Sequence, residues 1–412
     1  MKRAIYCCFL FVQSRHTVRL TTTRVYLAGI CSIIVTAGVA RFSYTSLLPI
    51  MQSQAGLTEI GGGWLAAVNY FGYLSGVLLV ANLNNLDDKY KLYRLYLVIA
   101  VLTTAAMALT TNVYLWALLR YVSGVSTSAG FIIASGLILK WLVNQNKRPE
   151  LGFHFSGIGL SIFFAAVLVE ALMQLSVTWQ NQWIYLSLMG ILFAIPAWCW
   201  MPHPSIKSID GTDKKPVDKP PTKVFSYVLI VAYCCAGYGY VVSATFIVDI
   251  VERLPELKGH GQQVFILLGL AASPAVLIWD RIARKLGYLK SLFLAYLVQI
   301  ISIALPAMSE NLITIGISAI LFGGSFVACV SLVLTMAGHF FPSNPAKFMG
   351  KMTVAYGGAQ MVAPALTGQL VAWSGNYNLG LYLSASIMLL GAVLIGALIW
   401  LDRPSLLSRK RA

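Results

Sequence analysis

Basic residues alternate along this chain from one gap between apolar segments to the next, and this alternation strongly constrains the fold. Of the 30 Lys and Arg residues, all but four fall in every second gap. The intervening gaps contain only Arg253 and Lys258, and the other two cations, Arg41 and Arg120, lie inside apolar segments. Because cytoplasmic loops of membrane proteins carry the excess of Lys and Arg, the pattern predicts a multi-pass membrane protein with both termini in the cytoplasm.

The composition supports a chain that uses the lipid bilayer as its solvent. Hydrophobic residues make up 58% of the sequence and charged residues only 11%, which is too much apolar surface for one water-soluble core. The net charge of +16 then reflects membrane orientation. A nucleic-acid surface is the alternative, but the basic residues are dispersed over seven short gaps and form no stripe on a soluble domain. We therefore expect no nucleic-acid partner.

Twelve apolar stretches are long enough to cross the hydrocarbon as helices, which takes roughly 20 residues. The sequence thus predicts an all-α membrane protein with twelve transmembrane helices in two six-helix bundles. The predicted spans are Val25–Leu48, Gly62–Asn82, Leu95–Thr110, Val113–Leu139, Gly152–Leu172, Trp183–Trp200, Phe225–Ile250, Val264–Ile278, Ser291–Met308, Leu312–Gly338, Met349–Trp373 and Leu379–Leu401.

A proline-rich, charged segment separates the two sets of six. It predicts a cytoplasmic linker over 201–224, between an amino-terminal bundle (25–200) and a carboxyl-terminal bundle (225–401). Residues 1–24 resemble a signal peptide at first, but Arg15, Arg19 and Arg24 would obstruct export and no small-residue cleavage site follows. We predict a cytoplasmic extension there, and a cytoplasmic tail over 402–412.

The two sets of six also repeat each other. A shift of 199 residues lays Ala37-Gly38 on Ala236-Gly237, and it also superposes the pairs Gly124/Gly323 and Gly159/Gly358. Parallel repeats of this kind are typical of secondary transporters, in which two bundles rock around a site near the bilayer midplane.

Several motifs resemble those of the major facilitator superfamily. The eighth segment ends in DRIARK, from Asp280 to Lys285, and is similar to the D-[RK]-x-G-R-[RK] signature of that superfamily. Arg120 and Gly124 match its R-x-x-x-G pattern. Three stretches are similar to the YbfB/YjiJ-type branch: Gly38–Pro49, Asn69–Gly76 and His154–Gly159.

This resemblance implies a transporter of a bacterial inner membrane, active as a monomer, without naming a substrate. It also implies that Asp280, Arg281 and Arg284 form a conformational latch at the cytoplasmic gate. The alternative for these residues is an ordinary basic cytoplasmic loop.

The two intramembrane arginines are the candidates for substrate recognition. Each costs about 2.5 to 3.5 kcal/mol near a helix centre, so each needs a partner or an aqueous cavity. Counting about 1.5 Å per residue places both in the outer half of the membrane. Their guanidinium groups would bind an anion, whereas in a structural alternative Glu170 pairs with Arg120. Further candidates to line the path are Tyr44, Asn69, Tyr70, Tyr73, Tyr240 and Gln360.

His154 is a candidate proton carrier, and a local hydrogen bond is the alternative. Proton coupling itself is implied only by the family resemblance, because no carboxylate lies in the middle of a predicted helix. Cysteine and histidine show no metal-ligand spacing, and we expect neither metal nor cofactor.

Three classes of function remain open at this stage. The first is a secondary transporter of a small organic solute, with an anion favoured by the arginines and a multidrug/H+ antiporter for cationic or amphipathic compounds as the alternative. A membrane enzyme is not expected, because the sequence lacks H-E-x-x-H and G-x-S-x-G motifs. A membrane sensor or scaffold without transport would be expected to carry a soluble output domain. Import and export are not distinguished.

Overall fold

The computed structural model describes residues 20–148, 150–204, 218, 220–341 and 345–401. The predicted amino-terminal extension up to residue 19, most of the predicted linker and the predicted carboxyl-terminal tail lie outside these residues. Within them the structure is helical and contains no strand. The all-α prediction is therefore confirmed.

Twelve long helices follow one another in the described part of the chain, one for each predicted span. Eleven are long and apolar enough to cross a membrane. α11 is long enough as well, but Gln360 and Gln369 and several glycines lower its hydropathy. The helices are α1 (Thr22–Ala55), α2 (Glu59–Ala81), α3 (Leu86–Leu109), α4 (Val113–Asn144), α5 (Gly152–Gln174), α6 (Trp179–Trp200), α7 (Lys223–Glu252), α8 (Gly261–Leu286), α9 (Tyr288–Met308), α10 (Leu312–Phe340), α11 (Pro345–Ser374) and α12 (Asn378–Leu401).

Several helices extend beyond their predicted apolar spans because local capping, and not hydropathy, sets where a helix ends. α3 begins nine residues before the predicted Leu95, since the Asn85 side chain accepts from the amide of Asp87 and caps the helix. Lys89, Lys91 and Arg94 therefore lie on a helix, where the sequence had suggested a loop. Likewise α1 continues past the predicted Leu48 and stops at Gly56, which has a φ of 70°.

α1 and α4 are continuous but each contains a π-helical segment, over Ile34–Phe42 and Ala129–Ala134. Such segments often occur at functional sites, because the extra residue per turn changes the direction of the side chains. Arg41 lies in the π-helical segment of α1. The two segments are in contact: a side chain at Gly130 would clash with the Thr36 hydroxyl at 2.2 Å.

The first six helices contact the last six mainly through three pairs of helices. α5 packs on α8, α2 packs on α11, and the Ser43–Ala55 part of α1 packs on α7. The α5–α8 contact is close because Gly159 has no side chain: a Cβ there would stand 2.2 Å from the Ser273 nitrogen. Throughout, we call the end of the bundle where α1 meets α2 the predicted outer end.

Candidate functional site

Arg41 and Arg120 are buried at one level of the bundle. Their exposed fractions are 7% and 3%. Nη1 of Arg120 on α4 donates to the carbonyl oxygen of Ala40 on α1 at 2.9 Å, and the Ser123 hydroxyl donates to the same oxygen at 2.9 Å. Arg120 therefore lies beside the backbone next to Arg41. Because α1 is longer than predicted, Arg41 lies close to the midpoint of that helix.

Tyrosines from both halves of the chain surround the Arg41 guanidinium. Its Nη2 donates to the Tyr240 hydroxyl on α7 at 3.2 Å. The guanidinium carbon also lies 4.1 Å from the centre of the Tyr70 ring and 5.5 Å from that of Tyr73, both on α2. The Tyr70 hydroxyl is 3.3 Å from that of Thr245, which joins α2 to α7. Hydrogen bonding and cation–π attraction together stabilise the buried charge.

Arg120 is held in a similar way by Tyr44. The guanidinium carbon lies 4.4 Å from the centre of the Tyr44 ring, whose hydroxyl donates to the carbonyl of Gly62 at 2.9 Å. Within the described residues neither Arg41 nor Arg120 forms an ion pair with a carboxylate. The Nε atom of each is buried without a hydrogen-bond partner. The site therefore carries excess positive charge and two unused donors.

Asn69 supports the site by connecting helices. Its amide nitrogen donates to the carbonyl of Arg120 at 2.8 Å and to the Ser123 hydroxyl at 2.9 Å. It therefore fixes α2 against α4, where the sequence had suggested a position lining the path. Its Oδ1 atom is buried and unpartnered.

An aromatic wall, which the sequence did not predict, continues the site into the last six helices. Tyr240 stacks on Phe326 of α10 at 5.3 Å between ring centres and on Tyr356 of α11 at 6.1 Å. Tyr356 stacks in turn on Tyr233 at 4.5 Å. The one sequence signal was the spacing of seven between Tyr233 and Tyr240, which places both on one face of α7.

Gln360, a predicted lining residue, lies one turn beyond Tyr356 on α11. It is 3% exposed, and its Oε1 atom is buried without a partner.

His154 and Glu170 lie away from this site. The His154 ring is fully buried, and its Nε2 atom lies 3.1 Å from the Gly130 carbonyl, which matches the local hydrogen bond that the sequence left as an alternative. Glu170 accepts from Gln174 at 3.1 Å. The structural alternative in which Glu170 pairs with Arg120 is therefore wrong. The Arg120 side chain donates instead to the Ala40 carbonyl on α1.

The predicted latch residues lie near the carboxyl-terminal end of α8, away from the predicted outer end. Asp280 and Arg284 are joined at 2.5 Å within that helix. Arg284 also approaches Glu150, just before α5, at 3.9 Å. Arg281 is exposed. In the described part of the chain, the ion pair that joins the two halves at this end is therefore Arg284–Glu150.

A second charged cluster lies at the predicted outer end. Arg253, just after α7, forms ion pairs at 3.1 Å with Asp249 of its own helix and with Glu59 of α2. Tyr377 donates to Asp249, and Gln52 of α1 also contacts the cluster. We call these residues the outer cluster. It adjoins a cavity of about 630 Å³ to which Asp249 and Arg253 contribute.

The two loop residues of this cluster keep their protons at neutral pH. Burial lowers the pKa of the Arg253 guanidinium, but Asp249, Tyr377 and Glu59 together raise it by more, and the net pKa lies above the ordinary value. Burial and the same carboxylate raise the pKa of the Tyr377 phenol well above its usual range. Arg253 therefore remains a cation, and Tyr377 remains a hydrogen-bond donor.

A family model described as an uncharacterised MFS-type transporter, YbfB, matches residues 33–396. No curated protein matches the sequence.

Three similar solved structures are membrane transporters. A point mutant of the nucleoside transporter NupG is 11% identical, with a TM-score of 0.72, covering 91% of this chain and 99% of its own. Another NupG structure is 11% identical, with a TM-score of 0.66, covering 92% and 98%. An inward-facing bacterial homologue of the human lysosomal transporter Spinster is 13% identical, with a TM-score of 0.64, covering 91% and 96%. At such identities these likenesses establish the fold alone.

Proposed function

The chain belongs to the YbfB-type family of major facilitator membrane transporters, and from this premise we propose that it is a secondary transporter that carries a small organic anion by alternating access. Membership of the family supports transport across a membrane. The chemical class of the substrate comes from the site.

The observation that carries this proposal is the state of the two buried arginines. Arg41 and Arg120 have no carboxylate partner among the described residues, and each has an unused Nε donor. An uncompensated charge inside a transmembrane helix is costly. Ionisable residues at such positions typically mark a substrate or ion pathway. A carboxylate would accept from both guanidinium groups and would neutralise excess charge.

The same charges disfavour the alternative of an antiporter for cationic compounds. Tyrosine rings would attract an organic cation, but Arg41 already covers the faces of Tyr70 and Tyr73. A substrate cation would be repelled by two guanidinium groups at close range. Nucleosides, the substrates in the name of NupG, are neutral and would leave both charges uncompensated.

Alternating access requires contacts that break at either end of the bundle. We propose that the outer cluster, through Arg253 and Glu59, holds the predicted outer end closed. At the cytoplasmic end Arg284 takes the corresponding role with Asp280 and Glu150. The Arg253–Glu59 and Arg284–Glu150 ion pairs join the first six helices to the last six and are partly exposed, so they are weak enough to exchange.

We further propose that the transporter resides as a monomer in the bacterial inner membrane, with cytoplasmic termini and with protons as the coupling ion. Asp249 supports proton coupling more strongly than His154 or Glu170. It is 2% exposed and contacts both Arg253 and Tyr377, so its protonation would weaken the outer cluster. The Nε2 atom of His154 is already hydrogen-bonded to the Gly130 carbonyl.

The test is uptake and binding with purified protein in liposomes, comparing monocarboxylates, organic cations and nucleosides. We expect saturable binding of monocarboxylates that Arg41→Ala and Arg120→Ala each weaken by about 2 to 5 kcal/mol, as for truncation of a buried charge pair. Lys at either position should restore only part of the affinity, because it lacks the bidentate geometry of Arg.

Arg94 provides the matched control, since it stacks on Tyr90 and Trp198 at the cytoplasmic end of α3. Arg94→Ala should leave anion affinity unchanged. If the folded Arg41→Ala, Arg120→Ala double variant kept native affinity, the anion site would be disproved.

A further inference from the structure

We propose that the substrate is an aromatic carboxylate whose ring packs on the aromatic wall while its carboxylate binds Arg41 and Arg120. This inference rests on the anion transport proposed above and narrows it to one chemical class.

The rings of the aromatic wall, to which Phe322 of α10 also belongs, are nearly parallel. The Tyr240 ring lies within 8° of the plane of Phe322, 15° of Phe326 and 18° of Tyr356. These rings come from three helices, α7, α10 and α11, and their centres are separated by 5.3 to 6.4 Å. Offset stacking of this kind is favourable for planar aromatic groups. A further planar ring would extend the same arrangement.

The wall and the cationic site are directly connected. The Tyr240 hydroxyl accepts from Arg41 while its ring stacks on the wall, so one residue belongs to both. Tyr73 of α2, which is partly exposed, lies 5.5 Å from the Arg41 guanidinium carbon, so aromatic rings from both halves of the chain adjoin the cation. A ligand with a carboxylate next to a ring would place the carboxylate at Arg41 and the ring beside the aromatic wall.

The unpartnered polar atoms add a second recognition element. A Cβ at Gly237 would stand 2.5 Å from the Tyr356 carbonyl, so these positions on α7 and α11 are at the same level. Because the two helices run in the same direction, Gln360 is then at about the level of Tyr240. Its Oε1 atom is an unused acceptor, in contrast to the unused Nε donors of Arg41 and Arg120. A hydroxyl or amino group on the ring would satisfy it.

The experiment compares probes of matched size in binding to the intact protein in lipid nanodiscs. We would measure 4-hydroxybenzoate, benzoate and trans-4-hydroxycyclohexanecarboxylate by calorimetry. The aromatic hydroxy acid should bind about tenfold more tightly than its saturated counterpart, since aromatic packing contributes up to about one decade in affinity. It should also bind more tightly than benzoate.

Variants locate the preference within the site. Tyr356→Leu and Phe326→Leu should reduce the aromatic-over-saturated ratio toward one. Gln360→Leu should remove the preference for 4-hydroxybenzoate over benzoate while retaining binding of both. Phe164→Leu is the control, because Phe164 packs on Phe193 of α6, away from the wall. It should keep both ratios.

The outcomes separate this inference from the function on which it rests. Equal binding of aromatic and saturated acids would overturn the aromatic inference and leave anion transport standing. Binding of neither acid, with saturable uptake of a cation or a nucleoside, would overturn both.

Discussion

Arg41 and Tyr240, which the internal repeat relates by 199 residues, are hydrogen-bonded to each other. A second pair with the same offset behaves alike, since the Thr45 hydroxyl donates to the Ala244 carbonyl at 2.9 Å. Two pairs of repeat-related positions therefore meet between α1 and α7 at the level of the site. The two halves then differ where they meet, with a guanidinium on one side and a phenol on the other.

Glu170→Ala should have little effect on folding, transport or anion affinity. The Glu170 side chain is partly exposed and accepts a hydrogen bond from its neighbour Gln174. Substitution of such a residue usually changes stability by less than about 0.5 kcal/mol. The melting temperature and uptake rate of the purified variant provide the check.

The combination of Glu170→Ala with Arg120→Ala extends that test. Because the two residues do not pair, their effects should add. If the second change instead rescued the folding of Arg120→Ala, the two side chains would be coupled and the contact of Arg120 with Ala40 would be secondary.

The sequence could predict those features of the site that depend on one helix alone. It could not predict those that depend on contacts between helices. Hydropathy located twelve helices, because in lipid each backbone must satisfy its own polar groups. The rise of about 1.5 Å per helical residue predicted that Arg41 and Arg120 lie at one level of the membrane. The sequence could not predict the partner of Arg120. That partner is the carbonyl of Ala40, which lies in a π-helical segment that leaves no sequence pattern. The stacking of Tyr240 on Tyr356 depends on helix packing across the whole second half.

Arg253→Ala should shift the transporter toward a state that is open at the predicted outer end. The substitution removes the partly exposed ion pair with Glu59, and pairs of this kind contribute about 0.2 to 1 kcal/mol. It also leaves the buried Asp249 carboxylate without its cation. A severalfold shift in population follows. It would be measured as faster reaction of a cysteine introduced at Ser46 with an impermeant thiol reagent.

Lys258→Ala is the control for that measurement, since Lys258 is an exposed cation in the same loop. The cysteine introduced at Ser46 should react at the same rate with and without the Lys258→Ala change. An unchanged rate for Arg253→Ala as well would mean that the outer cluster does not hold this end closed.

Asp280→Asn should slow transport and leave substrate binding measurable. Asp280 orients Arg284, which in turn approaches Glu150 across the two halves. Glu150→Gln should act in the same direction but more weakly, because its contact is longer. Uptake and equilibrium binding would be compared, with Lys285→Gln as an exposed neighbour for control. Native transport rates in both acidic-residue variants would rule out the latch.

Gly159→Ala and Gly358→Ala should differ, although the repeat relates the two positions. A Cβ at Gly159 would stand 2.2 Å from the Ser273 nitrogen, so the backbones of α5 and α8 must separate. Overpacking of this kind typically costs about 1 to 3 kcal/mol. At Gly358 nothing lies within 4 Å of the added carbon, and alanine also favours the helix. Melting temperatures should therefore fall for Gly159→Ala and hold or rise for Gly358→Ala. Equal destabilisation of both variants would show that the close α5–α8 contact is not what requires glycine at 159.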